Sequence, residues 1–474
     1  MKVTFLEEPD LEFASGGRHI DPRHGLADYG PADVKEVSAR IVRAAIIGPR
    51  GAIEGAQAWL DRCRNPIPAR SDTGLSHLYV PFPGFEIDRG FRASINWNSR
   101  LVRAIPKADI ESTISLNPLK AVQAAVDLYD RELAALSDEP NCDVVIVCRP
   151  DGMQDTNLRP RDKPPEDASG SRPGDFHALL KAKSLQYKQP IQILRRSTWD
   201  ATYVDPGGPK KARQDESTRA WNLHTALYYK NGGVPWRLPR DPSDLSTCYV
   251  GVSFYRTVDD SSLQTSVAQV FNQRGDGVIV RGGQATVSKE DRQPHLSGDD
   301  ACGLLLTALQ RYRFEHRTTP ARVVVHKSSD YTDDEIAGFR TAGAEERLDS
   351  LELLWITDSD SVRLFRRGQF PPLRGTLLSL DERRHILYSR GSVPFYKTYP
   401  GMYVPQPIGI RTIDAESSPE ALAREILALT KMNWNQTQLD GRDPITLRTA
   451  RTVGAILRHV GPDDSPSSRY AHYM

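Results

Sequence analysis

Cys248-Tyr249-Val250-Gly251-Val252-Ser253-Phe254 is a short apolar run, and Val323-Val324-Val325-His326-Lys327-Ser328-Ser329 repeats the pattern further along the chain. Runs this short, apolar at consecutive positions and rich in β-branched residues, predict central strands covered on both faces. Each turns polar at its end, at Ser253 and at Lys327. Around them the spacing predicts strands over 277–280, 351–357 and 385–389, and helices over 299–316, 332–343, 418–430 and 444–459. These elements make an α/β unit that begins near Asp241; in the unit that precedes it, strands alternating with helices predict a mostly parallel sheet.

A second α/β unit precedes it. Val37 to Ile47 is β-branched and apolar and closes on Gly48-Pro49, and Ala52 to Cys63 reads as a helix. Pro118 to Leu136 sets Val122, Ala125, Val126, Tyr129, Leu133 and Leu136 at helical spacing. Asp143 to Cys148 and Ile191 to Leu194 read as strands, Asp175 to Leu185 and Ser217 to Lys230 as helices. Asp151–Arg172 and Asp205–Asp215 carry the Pro, Gly and charge content of exposed loops. Residues 1–31 read as an irregular arm, turn-rich at Gly16-Gly17 and Asp21-Pro22-Arg23-His24-Gly25. The expected division is an arm over 1–31, a first domain over 32–240 and a second over 241–474.

The 474 residues leave room for two or three domains with substantial cores. No apolar run approaches the roughly 18 residues of a membrane span, and Glu7-Glu8 come too early for a signal peptide. The five cysteines are scattered, without a C-x-x-C pair, which argues against zinc and disulfides and for a reducing cytoplasm. The net charge of +1 hides a local bias. Between His177 and Arg240 there are twelve Lys or Arg against four Asp or Glu, a surplus of eight in a candidate polyanion site.

Within that stretch His177 and Lys181 share one helical face, Gln192 lies in the next strand, and Lys230 ends the next helix. Together they could present cationic and amide donors to one anionic group, such as a terminal phosphate. Each alone would be an ordinary surface residue; the set in this order is more specific. Gly275-Asp276-Gly277 lacks the third glycine of a dinucleotide fingerprint and precedes a strand, so it reads as a turn. G-x-x-x-x-G-K-[ST], H-E-x-x-H and G-x-S-x-G are all absent.

These residues resemble a short prokaryotic Argonaute, the kind with MID and PIWI domains and no PAZ domain. The resemblance rests on Leu11-Glu12-Phe13 with Asp21 to Leu26 and Tyr29-Gly30-Pro31, and on the His177, Lys181, Gln192, Lys230 set. In the second half it rests on Tyr249 to Phe254, Arg322 to Lys327, and Leu429-Thr430-Lys431-Met432-Asn433-Trp434-Asn435 with Pro444-Ile445-Thr446. It implies a Rossmann-like MID domain followed by an RNase H-like PIWI domain. His177, Lys181, Gln192 and Lys230 would then hold the 5′-phosphate of a guide strand. The Met474 carboxylate, with the Gln192 amide and guide phosphates, would hold Mg²⁺ there, an all-oxygen site suited to that ion; simple docking of Tyr473 and Met474 is the alternative.

The departures are equally specific. Slicing Argonautes use an Asp-Glu-Asp-Asp/His tetrad, and its first, third and fourth positions correspond here to Ser253, Lys327 and Arg451. Two hard Mg²⁺ ions need a cluster of carboxylates, which a hydroxyl, an ammonium and a guanidinium cannot supply. The glutamate position is not assigned. The implied function is a non-cleaving, cytoplasmic subunit that holds a guide RNA and recognises complementary single-stranded DNA. Its partner would be an APAZ-containing protein with a SIR2 or TIR effector that depletes NAD⁺ in defence against plasmids or phage. Two alternatives stay open: a metal-dependent nuclease with a site rearranged onto Asp259, Asp260, Asp330 and Asp333, and a nucleotide-binding enzyme on the first unit, against which the missing glycine fingerprint counts.

Overall fold

The structure is a computed structural model, and the residues it describes are 1–474 except 35–39, 72–73, 76, 152–174, 205–213, 241–244, 259–261, 272–276, 358–361, 402, 440, 462–463 and 465. The expected loop at Asp151–Arg172, most of that at Asp205–Asp215, Asp259, Asp260 and the turn residues Gly275 and Asp276 therefore lie wholly or largely outside the described residues.

The arm is not irregular. It forms β1 (Lys2–Phe5), β2 (Leu11–Glu12), β3 (Arg18–His19) and α1 (Pro22–Tyr29). Asp21 caps α1 by accepting from the Arg23 and His24 amides. The first unit follows with β4 (Arg40–Pro49), α2 (Arg50–Arg62), β5 (Ala93–Ile105), α3 (Lys107–Ile114), α4 (Pro118–Leu136) and β6 (Val144–Cys148). It continues through α5 (Phe176–Ser184), β7 (Ile191–Leu194), the single turn α6 (Arg196–Trp199) and α7 (Glu216–Lys230). Its four strands pair in parallel in the order β5-β4-β6-β7. Val42, Ala44 and Ile46 pack with α2 and α7, whereas Ala45 and Ile47 pack with α4. Both faces are covered, so the strand is apolar at consecutive positions rather than alternating.

The second unit contains β8 (Thr247–Arg256), β9 (Leu263–Phe271), β10 (Ile279–Val287), β11 (Pro294–His295), α8 (Gly298–His316), β12 (Arg322–Lys327), α9 (Asp333–Glu345) and β13 (Ser350–Thr357). After these come β14 (Thr376–Ser379), β15 (Arg384–Leu387), β16 (Ile408–Asp414), α10 (Pro419–Leu429) and α11 (Ile445–Leu457). The sheet has ten strands in the order β1-β14-β15-β16-β13-β12-β8-β9-β10-β11. Only its centre, β8-β12-β13, is parallel and the described flanks are antiparallel; the mostly parallel sheet expected from sequence is that of the first unit, where all four strands pair in parallel. Cys248, Val250 and Val252 face α8 and α9, while Tyr249 faces the layer of α10 and α11.

The arm is locked into this second unit. β1 pairs with β14, and the Glu8 carboxylate bridges Arg374 at 2.7 Å and Lys431 at 3.2 Å. Lys431 also donates to the carbonyls of Pro9 and Ile20. The Leu429–Asn435 motif thus clamps the N-terminal segment. Trp434 stacks near Tyr229 and Trp236, so one continuous core joins both sheets.

Candidate functional site

Asp175 caps α5, accepting from the His177 amide at 3.1 Å. One turn on, Lys181 points inward and is 1% exposed. Its ammonium donates to the carbonyls of Ile191 at 2.8 Å and His472 at 3.1 Å. Lys230, the last residue of α7, donates to the same Ile191 carbonyl at 2.9 Å and to the Met474 main-chain oxygen at 2.8 Å. The two ammonium groups therefore converge on one carbonyl at the start of β7. Among the described residues no Asp or Glu side chain is hydrogen-bonded to either, and the Met474 oxygen that Lys230 meets belongs to the terminal residue's carboxylate. Burial pulls the Lys181 ammonium well below its ordinary range, and the neighbouring Lys230 charge pushes it further down. Burial brings Lys230 down to about 7.

Gln192 follows Ile191 directly. Its Oε1 is buried without a donor, and its Nε2 reaches only the Ile193 carbonyl, at 3.4 Å. His177 is half-buried one turn before Lys181 on the same face of α5. The structure thus brings Lys181, Lys230 and the Gln192 backbone together, with His177 above them on α5. Sequence reasoning missed the other wall, the carbonyls of Ile191 and His472. Main-chain acceptors carry no residue-type signal. Tyr470, Ala471, His472, Tyr473 and Met474 are all buried, and Tyr470 packs against Tyr229 of α7. Burial, then Arg469, Lys181 and Lys230, depress His472 to about 3, so its ring stays neutral. Two buried ammonium groups facing neutral carbonyls and one terminal carboxylate leave a surplus of positive charge that a phosphate would offset.

The second constellation is organised differently. Ser253 and Lys327 end adjacent parallel strands, but Lys327 is in register with Val252, one position before Ser253. Their side chains therefore leave opposite faces of the sheet. Gly251 and His326 mark the α11 face. A Cβ on Gly251 would lie 2.4 Å from the Thr446 carbonyl oxygen, and His326 shares a 2.9 Å hydrogen bond with the Thr446 hydroxyl. Ser253 is on that face by parity. Lys327 points the other way, with its ammonium 2.7 Å from Glu335 Oε1 and both side chains fully buried. It also lies 4.9 Å from the Tyr331 ring centre and donates to the Asp330 carbonyl. Glu335 is fixed in turn: it completes the capping box of α9 with Thr332, accepts from the Leu296 amide at 2.8 Å, and lies 3.2 Å from His295 Nδ1. Arg451, on α11, pairs with Asp443 at 3.1 Å. Ser253, Lys327 and Arg451 do not gather at one point. Asp330 and Asp333 sit between β12 and the first turn of α9, and among the described residues no three His, Cys, Asp or Glu side chains are grouped to hold a metal ion.

No protein-family model matches the chain. It is 27% identical over 219 residues to "Protein argonaute" of Aquifex aeolicus (strain VF5), an alignment covering 46% of this chain and 28% of that protein. The likeness in sequence is thus to part of an Argonaute. The folds agree over a longer span. The structure of Clostridium butyricum Argonaute bound to a guide DNA (5′ deoxycytidine) and a 19-mer target DNA superimposes with a TM-score of 0.68 at 13% identity, covering 99% of this chain and 54% of that one. The crystal structure of the Aquifex aeolicus Argonaute with externally bound siRNA gives 0.59 at 17% identity, covering 99% and 55%. The chain thus spans about half the length of the Argonautes whose structures it resembles. The four-stranded unit is MID-like and the ten-stranded unit PIWI-like, as the sequence resemblance implied. Among the described residues no helix is long and apolar enough to cross a membrane.

Proposed function

We propose that this chain is an Argonaute-family protein that holds the 5′-phosphate of a guide strand between Lys181 and Lys230 and uses the guide to recognise a complementary strand. The observation that carries the reading is the pair of buried ammonium groups sharing the Ile191 carbonyl, with no Asp or Glu side chain among the described residues bonded to either and a single terminal carboxylate between them. Two buried cations held this close are costly to keep, and an anionic ligand gives them a use. The guide is proposed to be RNA and the target single-stranded DNA, with base pairing supplying specificity and the protein reading backbone and shape. The Gln192 Oε1 and the Met474 oxygen are acceptors suited to a divalent cation brought in by the guide phosphates. Mg²⁺ would supply charge neutralisation there. The Met474 carboxylate oxygen is already engaged by the Lys230 ammonium, so such a cation would have to share it.

The proposed chain recognises its target without cutting it. Support comes from Lys327, whose ammonium is engaged by Glu335, and from the opposite orientations of Ser253 and Lys327. Recognition would then be signalled to a separate cytoplasmic partner, an APAZ protein with a SIR2 or TIR effector that depletes NAD⁺ in anti-plasmid or anti-phage defence. The test is direct. Guides with a 5′-phosphate should bind more tightly than 5′-hydroxyl guides in wild type and lose that advantage in Lys181→Met. Equal affinity for both guides in wild type would refute the reading, and guide-dependent scission of one phosphodiester would refute its non-cleaving half.

A further inference from the structure

The connection from β13 to β14 carries the stretch Val362-Arg363-Leu364-Phe365-Arg366-Arg367-Gly368-Gln369-Phe370-Pro371-Pro372, which has three arginines and no Asp or Glu. Both ends of the stretch are pinned to the second unit. Val362 and Leu364 pack against Leu378, Ile386 and Tyr388. The Leu364 amide donates to the Tyr388 hydroxyl at 2.7 Å. At the other end the Pro371 carbonyl accepts from the Ser392 hydroxyl and the Pro372 carbonyl from the Ser392 amide, each at 3.0 Å.

Between these anchors, residues 365–370 are exposed without a break. Arg366 Nε donates to the Phe370 carbonyl at 3.1 Å and closes the tip. Gly368 takes a φ of +110°, which a residue with a side chain rarely adopts. The tip is therefore a closed turn on a fixed base.

This turn presents what a folded chain ordinarily buries. Phe365 is 86% exposed and Phe370 40%. Single exposed apolar residues are ordinary, but here two rings share one turn with Arg366 and Arg367. Arg340 and Arg384 of the same unit are held by Asp414 and Asp381. Among the described residues neither Arg366 nor Arg367 is in an ion pair.

Flat apolar rings beside uncompensated guanidinium groups fit a single-stranded nucleic acid, whose bases stack on aromatic faces and whose phosphates take the positive charge. A duplex keeps its bases stacked on each other and offers the rings little. An anionic membrane surface is held by a broad apolar face, which two rings on a turn do not make. We infer that the Phe365–Phe370 turn is a stacking contact for unpaired nucleic acid, with a base on Phe365 and phosphates at Arg366 and Arg367. It rests on the guide reading only in that the chain handles a nucleic-acid strand, and none of its residues belongs to the 5′ pocket.

Fluorescence anisotropy of the full chain with a labelled 5′-hydroxyl oligothymidylate, over a range of salt, tests it. Phe365→Ala should weaken binding by about fivefold or more, and Phe365→Tyr, which keeps a ring, should hold it near the wild-type value. Arg366→Gln with Arg367→Gln should lower the slope of log affinity against log salt by about 1.4, the counterions of two phosphates on a single strand. These side chains are exposed, so melting temperatures should stay at the wild-type value. Unchanged affinity in Phe365→Ala, or an unchanged salt slope in the double arginine variant, overturns the inference. So does wild-type binding to phosphatidylserine vesicles that Phe365→Ala abolishes while oligothymidylate affinity stays the same, which would make the turn a membrane contact. A wild type that passes these tests but shows no preference for 5′-phosphate guides would sink the guide pocket and leave this contact standing.

Discussion

Two regions of this molecule bury lysine side chains almost completely, and they do so on opposite terms. Lys327 is neutralised on the spot: Glu335 takes its charge, and Tyr331 and the Asp330 carbonyl take its remaining donors. Lys181 and Lys230 have no Asp or Glu side chain bonded to them among the described residues; they repel one another, share a single carbonyl, and meet between them one negative group, the Met474 carboxylate. A closed ion pair needs nothing further, and an open pair of cations is complete only with an anion. The difference teaches where to look for ligand in this fold: at the charge left open, not at the charge already paired.

The largest effect should come from breaking the closed pair. Lys327→Met leaves Glu335 buried and uncompensated, a change worth about 3–5 kcal/mol of stability, read by urea denaturation. Lys327→Met with Glu335→Gln should recover part of that loss, whereas an equal or larger loss in the double variant would show that the two side chains act separately.

At the open pair the same substitution should act on binding. Lys181→Met should cost about 1.5–3 kcal/mol of 5′-phosphate guide affinity and much less for a 5′-hydroxyl guide, measured by filter binding. An equal loss for both guides would mark a general basic surface.

The pH dependence follows from the depressed ammonium groups. In the free protein Lys230 loses its proton near pH 7, against an ordinary 10.5. A bound phosphate raises that value, so binding takes up a proton and affinity falls as pH rises above 7, by at most about tenfold per pH unit. Below that range the phosphate itself begins to protonate. Titration in two buffers of different ionisation heat between pH 7 and 9 should show the uptake for 5′-phosphate guides only. The sign for folding is opposite. The unfolded chain holds these protons more tightly, so stability of the free protein should rise with pH between 7 and about 10.

The smallest effect is expected at Ser253. Ser253→Ala removes one buried hydroxyl at a strand end and should shift stability by less than about 1 kcal/mol, with guide binding unchanged by the same filter assay.

Much of this was legible in the sequence, and the exceptions have physical causes. The continuous apolar runs located β4, β6, β8, β12 and β13 to within a few residues, because strands covered on both faces have no polar alternation to blur them. β5 was missed: Asn96, Asn98, Ser99, Arg100 and Arg103 give this edge strand a polar reading. β1 was read as an irregular arm because its partner, β14, lies more than 370 residues away, and a pairing that distant leaves no local mark. The cationic half of the guide pocket was readable from residue type and order; its carbonyl half was not. In the PIWI-like unit the residue types at Ser253, Lys327 and Arg451 were visible. That Ser253 and Lys327 leave opposite faces was not, because relative register between strands cannot be read from either strand alone.

The most direct test sets the two lysines side by side. Lys181→Met and Lys327→Met are each measured for thermal stability without nucleic acid and for the ratio of 5′-phosphate to 5′-hydroxyl guide affinity. Lys181→Met should keep the free protein at least as stable as wild type and bring the ratio to near one; Lys327→Met should lower the melting temperature and leave the ratio at its wild-type value. The reverse pattern, with Lys181→Met destabilised as strongly as Lys327→Met and its phosphate preference intact, would contradict the assignment of the open pair to the guide.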